Sequence, residues 1–271
     1  MAHRVFVVTG SNQGIGYGIV EKLAQVLDSP IIYLTARDTE RGKTALSKLN
    51  DTLGSKNKSD IRFHQLDITK ENSVKEFAEF LKKEHNGLDV LINNAGFAFK
   101  NDATEPASVQ ADVTIGVNYY GTKLVSSHLI PLIRTGGRIV NVCSQMGVMQ
   151  GKYDQKHIDK LKNATDESDI DEFVEEYKKR SKEPDTRKEG GFPESAYRVS
   201  KAAEIALTML YHRRYKDLKI NACCPGYVST NMTSYKGHLP VEQGADTPVY
   251  LATSGEAPSG EFVYQRKVIE W

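Results

Sequence analysis

Apolar runs and apolar stripes alternate along this chain. Arg4 to Val8 ends in four consecutive apolar residues and reads as a short, buried strand. After a glycine-rich turn, Ile19, Val20, Leu23, Ala24 and Leu27 recur at helical spacing. A second strand is predicted over Ile31 to Thr35 and a helix over Thr44 to Leu53. Ile61 to Leu66 reads as a strand, Val74 to Glu84 as a helix with Phe77, Phe80 and Leu81 on one face, and Leu88 to Ile92 as a strand. A helix carrying Val117 to Thr122 follows, then a strand over Gly137 to Cys143. There the rhythm breaks. Residues 146–194 are polar and highly charged, with a helical pattern over Ile170 to Lys179 and a loop-like stretch from Arg180 to Gly191. It resumes with a helix around Tyr197, a strand over Lys219 to Cys223, a helix near Val241 to Ala252 and a short strand at Phe262-Val263. Strands separated by helices imply an α/β fold: a doubly wound parallel sheet with right-handed crossovers. With no internal repeat and no linker, residues 1–271 are expected to form one domain, with 146–194 as a helical insertion within it.

The turns carry the first chemistry. Thr9-Gly10-Ser11-Asn12-Gln13-Gly14-Ile15-Gly16 joins the first strand to the first helix. In a dinucleotide site Gly10 permits the tight turn, Gly14 lets backbone approach a pyrophosphate, and Gly16 lets the helix pack on the strand. The phosphates would sit at the helix N-terminus. The second strand ends at Arg37-Asp38, where such folds read the adenosine ribose. Arg37, with Arg41 four residues on, suits a 2′-phosphate and points to NADP(H). Asp38 either binds a ribose hydroxyl or caps the next helix. Asp67 and Asn94 end the third and fourth strands, placed either to meet adenine and its ribose or to cap turns. Asn118 is a poor helix former in mid-helix, so it is functional or bonded to backbone.

Composition narrows the class. With 271 residues and 39% hydrophobic residues the chain can bury a sizeable core. A net charge of +1 argues against a broad nucleic-acid footprint. No apolar run approaches a membrane span, and the N-terminus lacks a signal-peptide pattern. Cys143, Cys223 and Cys224 give neither a disulfide framework nor a zinc pattern, so no metal is expected and a cytoplasmic setting is the default. Cys224 reads as a small buried residue rather than a reactive thiol.

Tyr197 and Lys201 are four apart in a helical stretch and share a face. An ammonium beside a phenol, whose ordinary pKa is about 10, favours the phenolate. Such a pair can exchange a proton with a carbonyl or alcohol.

Together, Thr9-Gly10-x-x-x-Gly14-x-Gly16, Asn93-Asn94-Ala95-Gly96, Asn118, Ser144, Tyr197-x-x-x-Lys201 and Pro225-Gly226 resemble, in this order, the short-chain dehydrogenase/reductase family over nearly the whole chain. Leu34 to Asp38, Arg62 to Ile68, Ala222 to Gly226, Thr247 to Ala252 and the 53-residue step from Ser144 to Tyr197 look most similar to the NADPH-dependent carbonyl reductases. The resemblance implies NADPH-dependent reduction of quinones, ketones and aldehydes. Tyr197 would be the acid, Lys201 would hold ribose hydroxyls and lower the Tyr197 pKa, and Ser144 would bind the carbonyl oxygen. Asn118 would fix a water that relays protons. It also implies cofactor contacts from Asn12, Gln13, Ile15, Ile68, Val228 and Thr230 alongside the glycines, Pro225 and Gly226. Tyr227 would line the substrate pocket. A small-molecule substrate and a monomer, kept so by the insertion, are implied as well. Gln13 stands where carbonyl reductases commonly have a lysine for the 2′-phosphate, which leaves Arg37 and Arg41; Tyr227 stands where a tryptophan is frequent. The competing readings are an epimerase or dehydratase, disfavoured by the short remainder after Lys201, and a catalytically idle NADP(H)-sensing protein, disfavoured by the intact Tyr197 and Lys201.

Overall fold

A computed structural model describes residues 3–100 and 102–271; Met1, Ala2 and Asn101 lie outside them. Eight strands form one sheet in the order β3-β2-β1-β4-β5-β6-β7-β8. They are β1 (Val5–Val8), β2 (Ile31–Ala36), β3 (Asp60–Gln65), β4 (Leu88–Asn93), β5 (Ile133–Val142), β6 (Lys219–Cys224), β7 (Phe262–Tyr264) and β8 (Lys267–Val268). All neighbours are parallel except β7 and β8. The strand order reverses between β1 and β4, and a ligand crevice opens at such a point outside the carboxyl ends of the strands.

Because side chains alternate along a strand, each strand feeds two cores. Val5 and Val7 point to one face, where they join Leu91, Ile139 and Ile220. Helices α3 (Glu71–His85), α4 (Ala107–Ile115), α5 (Thr122–Leu129) and α9 (Ala196–Arg214) supply residues to that core. Phe6 and Val8 point to the other face, where α1 (Gly14–Val26), α2 (Thr39–Leu53) and α11 (Asp246–Thr253) pack.

Between β5 and α9 the chain forms α6 (Gln155–Lys162), α7 (Glu167–Arg180) and a single turn, α8 (Thr186–Glu189). Ile170, Phe173, Val174 and Tyr177 of α7 extend the first core outward. Polar contacts fix α7 as well: Arg214 meets Asp166 and Glu167 at 3.1 Å, and Lys123 meets Asp171 at 2.6 Å. The Tyr119 hydroxyl donates to Asp171 at 2.8 Å.

Several elements differ from the sequence expectation, each for a local reason. Helix α2 begins five residues early because Asp38 caps it, accepting from the Arg41 N–H at 2.8 Å; its first turn has no apolar stripe. The stretch containing Asn118 is a π-helical turn, Gly116–Gly121, between α4 and α5. The helix expected over Val241 to Ala252 is broken into α10 (Val241–Gly244) and α11, since Pro248 has no N–H for the Gly244 carbonyl. Strand β8 closes a hairpin through Gln265 and Arg266, both at positive φ, a turn usually marked by Asn or Gly. Helix α6 also goes beyond the single helix expected in 146–194.

Phe173 is fully buried, with its ring 5.3 Å from Phe192 and 5.6 Å from His157. Phe173→Ala should cost about 3–5 kcal/mol in unfolding free energy, read from the urea midpoint. An unchanged midpoint would mean that the insertion does not share the fold's stability.

Candidate active site

The glycine turn after β1 is pinned from two sides. The Thr9 hydroxyl accepts from the backbone N–H groups of Asn94 and Ala95, both at 3.0 Å. The Asn94 amide donates back to the carbonyls of Thr9 and Gly10 at 2.9 and 3.0 Å. Ser11 ties the turn to β2, accepting from the Thr35 N–H at 2.9 Å and donating to the Val8 carbonyl at 2.7 Å. Gly10 has φ +59°, and a Cβ there would fall 2.8 Å from the Ala95 Cα, so both conformation and space demand glycine. A Cβ at Gly16 would collide with Asn94 and Gly10. Gly14, at φ +58°, is different: its Cβ position has nothing closer than Thr230 at 3.5 Å.

These features fit a dinucleotide phosphate. Gln13 gives α1 no side-chain cap, and the first turn holds no acidic residue. The first N–H groups of α1 therefore have neither a side-chain cap nor an acid of that turn at the helix N-terminus. Asn12 and Ile15 are half-buried beside it, and Gln13 is exposed. Val228 is buried against Gly244, Thr230 against Gly14, and Gly226, at φ +88°, turns the chain after Pro225.

At the carboxyl end of β2, Arg37 and Arg41 are exposed, and Asp38 is committed to capping α2. The cap uses one oxygen of the Asp38 carboxylate. Asp67 likewise holds its own turn, accepting from the Thr69 N–H at 3.0 Å and hydroxyl at 2.7 Å. Ile68 is buried and packs against Gly121.

The second cluster lies at the carboxyl end of β5. Ser144 is partly exposed just past the strand and accepts from the Met146 N–H at 3.1 Å. Helix α9 brings Tyr197 and Lys201 opposite, with the Lys201 Nζ 5.7 Å from the centre of the Tyr197 ring. Lys201 is 4% exposed and donates to the Val142 carbonyl at 3.2 Å. Burial is the largest influence on Tyr197 and raises its hydroxyl above the ordinary phenol value; Lys201 and Ser144 pull it back down. The lowering expected from Lys201 is present, but burial outweighs it. Burial is the largest single influence on Lys201 and lowers it, but Glu204, with Tyr197 and Cys143 behind it, together push it above the ordinary ammonium value.

Asn118 uses its whole side chain locally. It accepts from the Phe97 N–H at 2.7 Å and donates to the Phe97 carbonyl at 3.0 Å and Ser200 at 2.9 Å. It therefore binds the loop after β4 to α9. Gly96 lies between Asn118 and Lys201: a Cβ there would be 3.3 Å from the Asn118 Oδ1 and 3.7 Å from the Lys201 Nζ. Tyr227 is 47% exposed, with its ring centre 6.0 Å from that of His238. Cys143, Cys223 and Cys224 are free and buried, and burial raises all three thiols. Among the described residues no cluster of metal ligands occurs, and no helix is long and apolar enough to cross a membrane.

Three contributors were not singled out in the sequence: Thr9, Ser11 and Glu204. Glu204 had a signal, a lone acid three residues after Lys201 inside the apolar run Ala202 to Leu207.

Comparison with known proteins gives a consistent picture. The family model for short chain dehydrogenase matches residues 4–155. Carbonyl reductase (NADPH) 1 of Bos taurus is 38% identical over 278 residues, covering 98% of each chain. That of Homo sapiens is 39% identical over 282 residues, again covering 98% of each. Among solved structures, salutaridine reductase from Papaver somniferum superposes with a TM-score of 0.85 at 30% identity, covering 97% of this chain and 100% of that one. The menthone neomenthol reductase from Mentha piperita gives 0.82 at 29% identity, covering 98% and 100%.

The turn bearing Ser144 rests directly on α9. A Cβ at Gly147 would fall 2.7 Å from the Lys201 carbonyl carbon and 2.9 Å from the Ala202 nitrogen, which are backbone atoms that cannot step aside. Gly147→Ala should lift Ser144 away from Tyr197 and reduce turnover about tenfold or more while the chain stays folded. Circular dichroism and steady-state rates together check this; an unchanged rate would contradict it.

Proposed function

The chain belongs to the short-chain dehydrogenase family, and from that premise we propose that it reduces carbonyl compounds (quinones, ketones and aldehydes) to alcohols with NADPH. The observation that carries this is the meeting of Ser144, Tyr197 and Lys201 at the carboxyl edge of the sheet, beside the uncapped N-terminus of α1. When bound, the cofactor supplies the hydride. Everything else falls to side chains. Gly10, Gly14 and the first turn of α1 receive the pyrophosphate. Arg37 and Arg41 meet a 2′-phosphate, with Asp38 withdrawn into the α2 cap. Ser144 hydrogen-bonds the substrate carbonyl oxygen and stabilises the charge that develops there. The Tyr197 hydroxyl delivers the proton to that oxygen. Lys201 steadies the cofactor ribose and moderates the rise that burial imposes on Tyr197. Tyr227 stands at the rim as a substrate contact.

The direction of the Tyr197 shift suits reduction. A raised phenol stays protonated at neutral pH, so reduction should hold a plateau there and fall as pH rises through the Tyr197 pKa.

Residues 146–194 act, in this reading, as an insertion that covers α4, α5 and α9 and keeps the protein monomeric. The contacts of Asp166, Glu167 and Asp171 with Arg214, Lys123 and Tyr119 support this. A cytoplasmic setting agrees with three free thiols.

The direct test follows NADPH oxidation at 340 nm with a quinone and an aromatic aldehyde. Wild-type turnover should fall at least about a thousandfold in Tyr197→Phe. Arg37→Ala should raise the KM for NADPH about tenfold to a hundredfold and leave that for NADH unchanged, as loss of a charged hydrogen bond implies. Tight NADPH binding without turnover of any carbonyl would instead support a sensing protein. A stable dimer in light scattering would overturn the role of the insertion.

A further inference from the structure

Among the described residues, Glu204 is the one fully buried carboxylate, 1% exposed. It projects from the same face of α9 as Lys201 and Tyr197, three and seven residues before it. Its Oε2 lies 2.7 Å from the Lys201 Nζ, with the two side chains 5% and 1% exposed. Its Oε1 accepts from the Thr122 hydroxyl at 3.4 Å. The titratable groups that feel it are Cys143, just past β5, and Tyr197 and Lys201 on its own helix, while Cys223 and Cys224 on β6 lie on the side of Lys201. On the side of α5, Thr122 is neutral.

A buried carboxylate without a partner costs several kcal/mol and is not retained in an apolar helix face for packing alone. Among the described residues the one charged group paired with it is the lysine of the proposed proton-transfer pair, which pulls its carboxyl back down against the rise that burial imposes. We propose that Glu204 is a positioning residue for that step: it holds the Lys201 ammonium charged and in place, and offsets part of the field that the ammonium exerts on the Tyr197 hydroxyl. The inference rests on the proposed reduction and adds to it the residue that tunes the acid.

The consequence is a shift in pH dependence. Tyr197 and Lys201 titrate as a pair, and reduction needs both protonated. The carboxylate raises the affinity of this pair for its protons: it pushes Lys201 up, and it also raises Tyr197. Without it, the first proton leaves at lower pH, whichever of the two groups loses it. Glu204→Gln keeps the shape and removes the charge; Glu204→Met removes the polarity as well.

The experiment compares pH profiles of kcat for quinone reduction by NADPH in the wild type and both variants, with melting temperatures alongside. The alkaline limb of both variants should move toward acid by about one pH unit. A limb that stays in place, or moves toward alkali, in a folded variant would overturn the proposal. Failure of both variants to fold would assign Glu204 to the core's stability and overturn it equally. Absence of wild-type turnover would remove the reductase reading and this inference with it, whereas turnover with an unmoved limb would remove this inference alone.

Discussion

An ammonium group held almost out of reach of water is the constraint around which the site is built. Lys201 is 4% exposed, and moving such a charge from water into a protein interior costs several kcal/mol unless it is met by an opposite charge and by hydrogen-bond acceptors. The fold supplies both. Glu204 provides the charge and the Val142 carbonyl an acceptor. Behind them runs a polar chain through the core. Asn93 on β4 donates to Asn141 on β5 at 2.8 Å, Asn141 donates to Thr208 on α9 at 2.8 Å, and Thr208 donates to the Glu204 carbonyl at 2.7 Å. Three elements are thereby held in one register behind the catalytic helix, because slipping any of them would strand buried polar groups.

The second half of the site follows a similar logic with backbone instead of charge. Thr9, Asn94 and Ser11 spend their hydrogen bonds on the glycine turn, so the free N–H groups of α1 are aimed by the ends of β1, β2 and β4 together. A turn fixed in advance in this way loses little entropy when a ligand occupies it. Asn94, read from the sequence as a ribose contact or a cap, serves here to fix the turn.

Much of this was legible in the chain itself. Strand and helix order came from periodicity, since β1 is a continuous apolar run and β2 and β4 are nearly so, the pattern of strands buried on both faces of a parallel sheet. Tyr197, Lys201 and Ser144 could be found because their spacing and order are themselves the signal. What stayed hidden depends on tertiary contacts. Asp38 offered two roles with equal chemistry, and only the position of the Arg41 N–H separates them. Glu204 sits in a helical run where glutamate is an ordinary helix former, so its place as a lone acid in an apolar stretch was a signal, but its pairing with Lys201 was not readable from it. The π-helical turn at Asn118 and the hairpin at Gln265-Arg266 lack the residues that usually announce them.

The two ends of the sheet bear on how the protein behaves in a crowded solution. An edge strand with unpaired N–H and C=O groups is a template for another chain. One edge, β8, is only two residues long, is exposed, and begins with Lys267. The other, β3, carries Arg62 paired to Asp60 at its start. Short length and charge at these edges discourage sheet-to-sheet growth, so the eight strands can remain a closed unit at concentrations where a flat apolar edge would seed aggregation.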